Sequence, residues 1–391
     1  MSEHDCDVLI VGAGILGLAH AWAAAKRGLK VKVFERTHTP LGASIRNFGQ
    51  ALVGGQAPGI MLDLARQARG LWSELGAAAG LHLHQQGSLL FARTEAEEAL
   101  LHAFVAGRGA ALGYRTELLH GKALDALYDG RFAHHRAALH GLDDQQLYSR
   151  EALPQIVRYL ASEWGVEFHF STLVRDVQTG TALTSKGRFT AREIVVCSGH
   201  DYQTLLAEQL DALQPQVCGL QMLRARPEQP LALRHAVLTG LSCVHYGAFS
   251  DLPEAEAIRQ QIRAQQPELE AHGIHLLISP TPYGDLIIGD SHVYGSDIAP
   301  FNAEPVERML IELAEHTLGG KIEVVERWQG VYGARGPGPF SVLQAAEGVS
   351  AVLMHTGLGM SVGVALGERT MAAVLGEGDW PGADNALAGR G

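Results

Sequence analysis

The stretch VLIVGAGILGLAHAWAAAKRGLKVKVFER, Val8 to Arg36, decides the fold. It opens with four apolar residues in a row, Val8 to Val11, as a strand buried on both faces does. It turns through Gly12, Gly14 and Gly17, runs as an Ala-rich helix to Arg27, and returns as a second strand from Lys30 to Phe34. The pattern is a βαβ unit with G-x-G-x-x-G at its first turn and an acid, Glu35, where the second strand ends. Gly12 permits the tight turn, Gly14 lets the backbone approach a pyrophosphate on the helix N-terminus, and Gly17 lets helix and strand pack closely. Glu35 is placed to accept from ribose hydroxyls, and its charge disfavours a 2′-phosphate.

Working outward, the chain has 391 residues, enough for two domains. The net charge of −11 gives no electrostatic footprint for nucleic acid. Cys6, Cys197, Cys218 and Cys243 form no C-x-x-C pair and read as reduced thiols. No apolar run approaches the ~20 residues of a membrane helix, and no leader precedes the first strand, so the expectation is a cytoplasmic protein. His82 and His84 share a strand face with no third ligand nearby, so no metal site is expected.

Residues 37–55 carry little periodicity and read as an ordered loop along a ligand. Helices are expected over 60–79, 95–106, 150–164 (capped by Ser149), 254–265, 304–318 and 362–375. Strands are expected over 87–92, 166–170, 173–177, 182–189 and 193–197. A second, mainly antiparallel sheet is expected from 215–226, 242–249, 273–279, 286–290 and 324–331, before a last buried strand at 348–355. Residues 110–145 resist assignment, and 376–391 reads as a tail.

With the amino-terminal unit, the EIVVCSG strand and the closing H-T-G-L-G-M-S segment in hand, the chain resembles the FAD-dependent amine and amino-acid oxidoreductases. That family includes D-amino-acid oxidase, glycine oxidase and sarcosine oxidase. The loop with Gly42, Ser44, Asn47 and Gly49 is similar to the family's flavin-side segment, which favours FAD over NAD. The stretches SIRNFGQ and GARGPGPF resemble a bacterial clade associated with aminophosphonate breakdown.

The resemblance implies an α/β fold: a Rossmann-like FAD-binding domain (1–81, 146–211 and 325–380) with an inserted antiparallel-sheet substrate domain (82–145 and 212–324), and a tail at 381–391. It implies non-covalent FAD held by Gly12, Ala13, Gly14, Ile15, Leu16 and Gly17 at the pyrophosphate. Glu35 and Arg36 would lie at the adenosine, Ser44, Arg46 and Asn47 along the phosphates and flavin, and Val174, Ser198 and Gly199 near the ADP. Gly357, Leu358, Gly359 and Met360 would face the flavin's N1–C2=O edge, where a helix N-terminus favours the anion of the reduced ring.

The implied reaction is hydride transfer from a small anionic amine to flavin, giving an imine that water hydrolyses, with oxygen or a carrier as the final acceptor. Such chemistry needs orientation, an anion site and exclusion of solvent more than a triad. Arg335, in a Gly/Pro loop after a strand, is the first candidate for the anion, because a guanidinium grips carboxylate or phosphonate in a bidentate way. Arg46 is the second cation. Tyr246, beside His245, is expected to face the flavin, and His292, with Asp290, to orient the amine or phosphonate. One carboxylate needs one arginine, as for glycine, sarcosine or a D-amino acid, whereas a phosphonate favours two cations. A non-catalytic flavin-binding subunit is the alternative from another class.

Overall fold

A computed structural model describes residues 4–382. Its first sheet grows from the apolar amino-terminal run. The strand Cys6–Val11 pairs in parallel with Val31–Phe34, which pairs in parallel with Glu167–His169. On its other side Cys6–Val11 pairs in parallel with the second half of Gly187–Val196, next to Val349–Met354 and then the antiparallel Phe340–Ala346. The expected strands 182–189 and 193–197 are therefore not separate. Thr181–Thr184 is a strand of its own, and Gly187–Val196 runs unbroken. Its first half closes an antiparallel meander and its second half is buried in the parallel sheet.

Helix Ile15–Lys26 packs on this sheet and against the last helix, Gly359–Val374. The approach is so close that a Cβ on Gly367 would lie 2.7 Å from the Ala19 Cβ. Helix Ile60–Ala79, whose apolar stripe includes Leu64, Ala68 and Trp72, covers the last helix in turn. Trp22 and Trp72 are fully buried here, each removing apolar area on the order of 2–3 kcal/mol from water.

The second sheet runs in the order 293–295, 216–227, 286–289, 277–280, 236–239, 88–92, 137–141, 116–119. It is antiparallel except where Ala236–Thr239 meets Ser88–Ala92. The unassigned stretch supplies its far strands, Thr116–Leu119 and Ala137–Gly141. Ile322–Ala334 pairs along nearly all of Gln216–Pro227, so the boundary expected at 325 falls inside a strand of this sheet. The strand expected at 242–249 is absent. The strand is Ala236–Thr239, and Gly240–Val244 is a 3-10 turn that leaves His245 and Tyr246 in irregular backbone. Ser149 lies inside helix Ser149–Trp164, whose cap is Tyr148, and does not cap it. Most of the expected tail lies outside the described residues.

All four cysteines are buried free thiols. No helix among the described residues is long and apolar enough to cross a membrane.

Candidate active site

Between the two sheets lies a cavity of about 520 Å³. Its first wall comes from the βαβ turn. Gly12 has φ +99°, and a Cβ there would lie 2.4 Å from the Cys197 carbonyl oxygen. A Cβ on Gly17 would lie 1.8 Å from the Gly12 carbonyl. Gly14, Ile15 and Leu16 line the cavity, and the Ile15 N–H donates to Ser44 Oγ at 3.0 Å. Helix Ile15–Lys26 has no side-chain cap of its own, so its N-terminus is left to an outside acceptor. Glu35 closes the turn: its carboxylate accepts from the Ala13 N–H at 3.0 Å and from the Thr37 N–H at 2.9 Å.

On the adenosine side the expected residues fall in different settings. Arg36 pairs with Asp201 at 2.6 Å and is half exposed, outside the cavity wall. The Val174 side chain is buried in the core with Leu9 and Phe34, which leaves its backbone for the contact expected of it. Ser198 Oγ donates to the Asp201 carbonyl, while Gly199 lines the cavity.

The loop at 42–49 lines the cavity through Ala43, Ser44, Arg46, Asn47 and Phe48, and its asparagine is occupied. Asn47 Nδ2 donates to the carbonyls of Ala43 and Ser44, and its Oδ1 accepts from the Gly49 N–H and the Ser149 hydroxyl, both at 2.8 Å. Asn47 therefore shapes the loop with its side chain. Arg46 lines the cavity, its Nε on the Leu41 carbonyl at 2.9 Å, while its own carbonyl accepts from Trp328 Nε1 at 3.0 Å.

The second helix N-terminus completes this half. Gly357, Leu358, Gly359 and Met360 all line the cavity, and Gly359–Val374 also lacks a side-chain cap. Ser361 Oγ accepts from the Leu52 N–H at 3.0 Å, and Trp72 Nε1 donates to the Met360 carbonyl at 2.8 Å. The bend is thus pinned from two sides.

The wall from the second sheet carries the polar chemistry. Arg335 follows Ile322–Ala334 with φ +49°, a left-handed conformation costing about 1 kcal/mol for a non-glycine residue. Its N–H donates to the His355 carbonyl at 3.1 Å. Its guanidinium lies over the Tyr294 ring, 4.4 Å from the centroid, and has no ion-pair partner among the described residues. Tyr246 is buried in the wall, and burial pushes its hydroxyl pKa up. His292 and Asp290 are there too, with His245 presenting an open face to the cavity.

One functional candidate escaped the sequence. His275, just before strand Leu277–Pro280, joins His245 and His292. Its ring centroid is 3.8 Å from that of His245 and 4.8 Å from that of His292. Burial drives the His245 pKa down to about 3 and His275 well below its usual value, and lifts the Asp290 carboxyl to about 6. No local spacing announces His275, because the cluster forms through three chain segments distant in sequence.

A family model described as FAD dependent oxidoreductase matches residues 7–373. Glycine oxidase from Bacillus cereus ATCC 14579 superposes with a TM-score of 0.78 at 18% identity, covering 99% of each chain. Glycine oxidase from Geobacillus kaustophilus gives 0.75 at 21% identity, covering 98% of this chain and 99% of that one. Iminodiacetate oxidase from Chelativorans sp. BNC1 gives 0.71 at 18%, covering 95% of each. A Dictyostelium discoideum protein with amine oxidase in its name is 39% identical over 79 residues, a match spanning 20% of this chain and 7% of that protein. The chain belongs to the FAD-dependent oxidoreductase family and shares the glycine oxidase fold. The tight turn at Gly12 and Gly17 and the two helix N-termini that lack a side-chain cap from their own N-cap residue fit FAD.

Proposed function

We propose that the protein oxidises the C–N bond of a small amine with an anionic tail, giving an imine that water hydrolyses to an aldehyde and an amine. FAD, when bound, supplies the hydride acceptor for the substrate's α-carbon. The observation that carries the reading is Arg335: a cation in the cavity wall, stacked on Tyr294, with no carboxylate among the described residues to neutralise it. A guanidinium in that state favours an incoming carboxylate or phosphonate.

The chain's own residues then position and shield. Arg335 holds the tail, Tyr246 and Tyr332 wall the amine end, and the bend at Gly357 to Met360 presents N–H groups where negative charge develops. Gly12, Ala13, Gly14, Ile15, Leu16, Gly17, Glu35 and Ser44 are the residues suited to the dinucleotide, joined by Gly199.

Arg46 lines the same cavity as Arg335. A second cation suits a dianion, which supports an aminophosphonate such as 2-aminoethylphosphonate or its N-methyl derivative. The monocarboxylate reading, with glycine, sarcosine or a D-amino acid as substrate, is favoured by the fold shared with the two glycine oxidases. Anaerobic mixing of the purified yellow protein with both groups of compounds separates them. Bleaching by the phosphonates alone supports the first, bleaching by the amino acids alone replaces it with the second, and failure to bind FAD overturns catalysis itself.

A further inference from the structure

Three imidazoles and one carboxylate meet on the wall formed by the second sheet. His245 comes from the turn after Gly240–Val244, His275 from the approach to Leu277–Pro280, and Asp290 and His292 from the end of Leu286–Gly289. The histidines' candidate ligand nitrogens all lie within 4.8 Å of one another. Asp290 Oδ1 is 3.6 Å from His275 Nε2, and Oδ2 is 3.8 Å from His292 Nε2. These separations are too long for hydrogen bonds. Two ligands at about 2.0–2.1 Å on one tetrahedral zinc ion stand about 3.4 Å apart, so side-chain rotation would have to draw the three histidine nitrogens together from their present spread of up to 4.8 Å, with Asp290 closing from the side of His275 and His292.

The hydrogen bonding says what is missing. His292 Nδ1 lies 2.8 Å from the Gly273 carbonyl, which can only accept, so Nδ1 carries the proton. In the neutral ring Nε2 is then a bare acceptor, and it faces a carboxylate. Backbone fixing of one ring nitrogen to aim the other is the arrangement found behind metal-bound histidines. His275 has no hydrogen-bond partner at either nitrogen, Asp290 Oδ1 has none either, and both residues are 4% exposed. Both His275 nitrogens and Asp290 Oδ1 thus sit in one buried cluster with their hydrogen-bonding capacity unused.

We propose that His245, His275, His292 and Asp290 form a site for a divalent first-row metal ion, zinc in the first instance, with an open coordination position facing the cavity. Neutral imidazoles with one carboxylate suit such ions and do not suit calcium or magnesium. What fills the open position rests on the amine-oxidation reading. Tyr294 links the two anion-binding elements, since its ring is 6.2 Å from that of His292 and lies under Arg335. A substrate tail held by Arg335 is thereby brought beside the metal, and a phosphonate has oxygens enough for both.

The test uses the full-length flavoprotein, purified without a polyhistidine tag, stripped with a chelator and titrated with Co²⁺ alone. About one equivalent binds, with ligand-field absorption beyond the flavin bands, and Zn²⁺ displaces it. In His275→Ala and Asp290→Asn uptake falls at least tenfold while FAD content is unchanged. Absence of Co²⁺ or Zn²⁺ uptake by the wild-type protein, or uptake by both variants undiminished from that of the wild type, overturns the site. The two readings fail separately: bleaching by amines in a protein that takes up no metal sinks the metal site alone, whereas metal uptake without bleaching by any amine supports the site and sinks the substrate assignment.

Discussion

Arg335 lies over the ring of Tyr294 at 4.4 Å while its backbone N–H is bonded to the His355 carbonyl. The side chain is free for an anion and the main chain is fixed. Arg335→Ala should raise KM for the amine by about 30- to 150-fold, the equivalent of about 2–3 kcal/mol for a lost charge-assisted contact. FAD content should not change. Arg335→Lys should recover only part, because an ammonium lacks the guanidinium fork. Steady-state kinetics with the bleaching substrate check this, and an unchanged KM would remove Arg335 from the site.

Gly12→Ala places a methyl group 2.4 Å from the Cys197 carbonyl oxygen at a φ of +99°. Neither the strand nor the turn can yield cheaply. The expected outcome is loss of about 2–4 kcal/mol of stability and poor FAD retention. Denaturant unfolding and the ratio of flavin to protein absorbance report both.

Asn47→Ala separates a structural role from a substrate role. Four hydrogen bonds tie Asn47 to its own loop and to Ser149. The variant should lose about 2–3 kcal/mol of stability and bind FAD more weakly. KM for the amine, measured with saturating FAD, should stay within about threefold, the equivalent of ~0.6 kcal/mol. A large KM change with normal stability would instead put the amide on the substrate.

Burial lowers the pKa of His20, His135, His235 and His355 to about 4 each. Between pH 4 and the unfolded value of 6.5 the unfolded chain holds more protons at these positions, so stability rises with pH through that window. Asp290, raised from 3.8 to about 6, acts with the opposite sign because its folded form keeps the proton longer. Burial raises Asp144 and Glu193 as well, but with His245 and His275 the lowered histidines outnumber the raised carboxyls. Denaturant midpoints should fall steadily from pH 6.5 to pH 4.5, and a flat profile would contradict the burial of these rings.

The βαβ unit was legible because its chemistry is local: an apolar run, three glycines at fixed spacing and an acid at the next strand end. Helices 60–79 and 304–318 were equally open, since a continuous apolar stripe records the face that is buried. The stretch 242–249 misled because Cys, Val, His, Tyr, Ala and Phe have strand-like composition, yet tertiary packing under helix Ala255–Gln265 holds it in turns. Arg335, Arg46, Tyr246 and His292 line one cavity, while the Arg36 side chain turns out to Asp201. His275 stayed hidden because nothing in G-I-H-L-L distinguishes a core histidine from a ligand. Its neighbours arrive only when Leu277–Pro280 pairs with Leu286–Gly289 and the turn at 245 folds over both.

The bond from the Arg335 N–H to the His355 carbonyl also sets a length scale. From His355 the chain passes directly through Thr356 into the bend at Gly357 to Met360, which Ser361 and Trp72 hold in place. On the proposed reading, the anchor for the substrate's tail and the N–H groups that face the flavin are two marks on one short, stiff rule. Such a rule discriminates by reach: adding a single methylene between amine and anion displaces the reacting carbon by more than an oriented reaction tolerates.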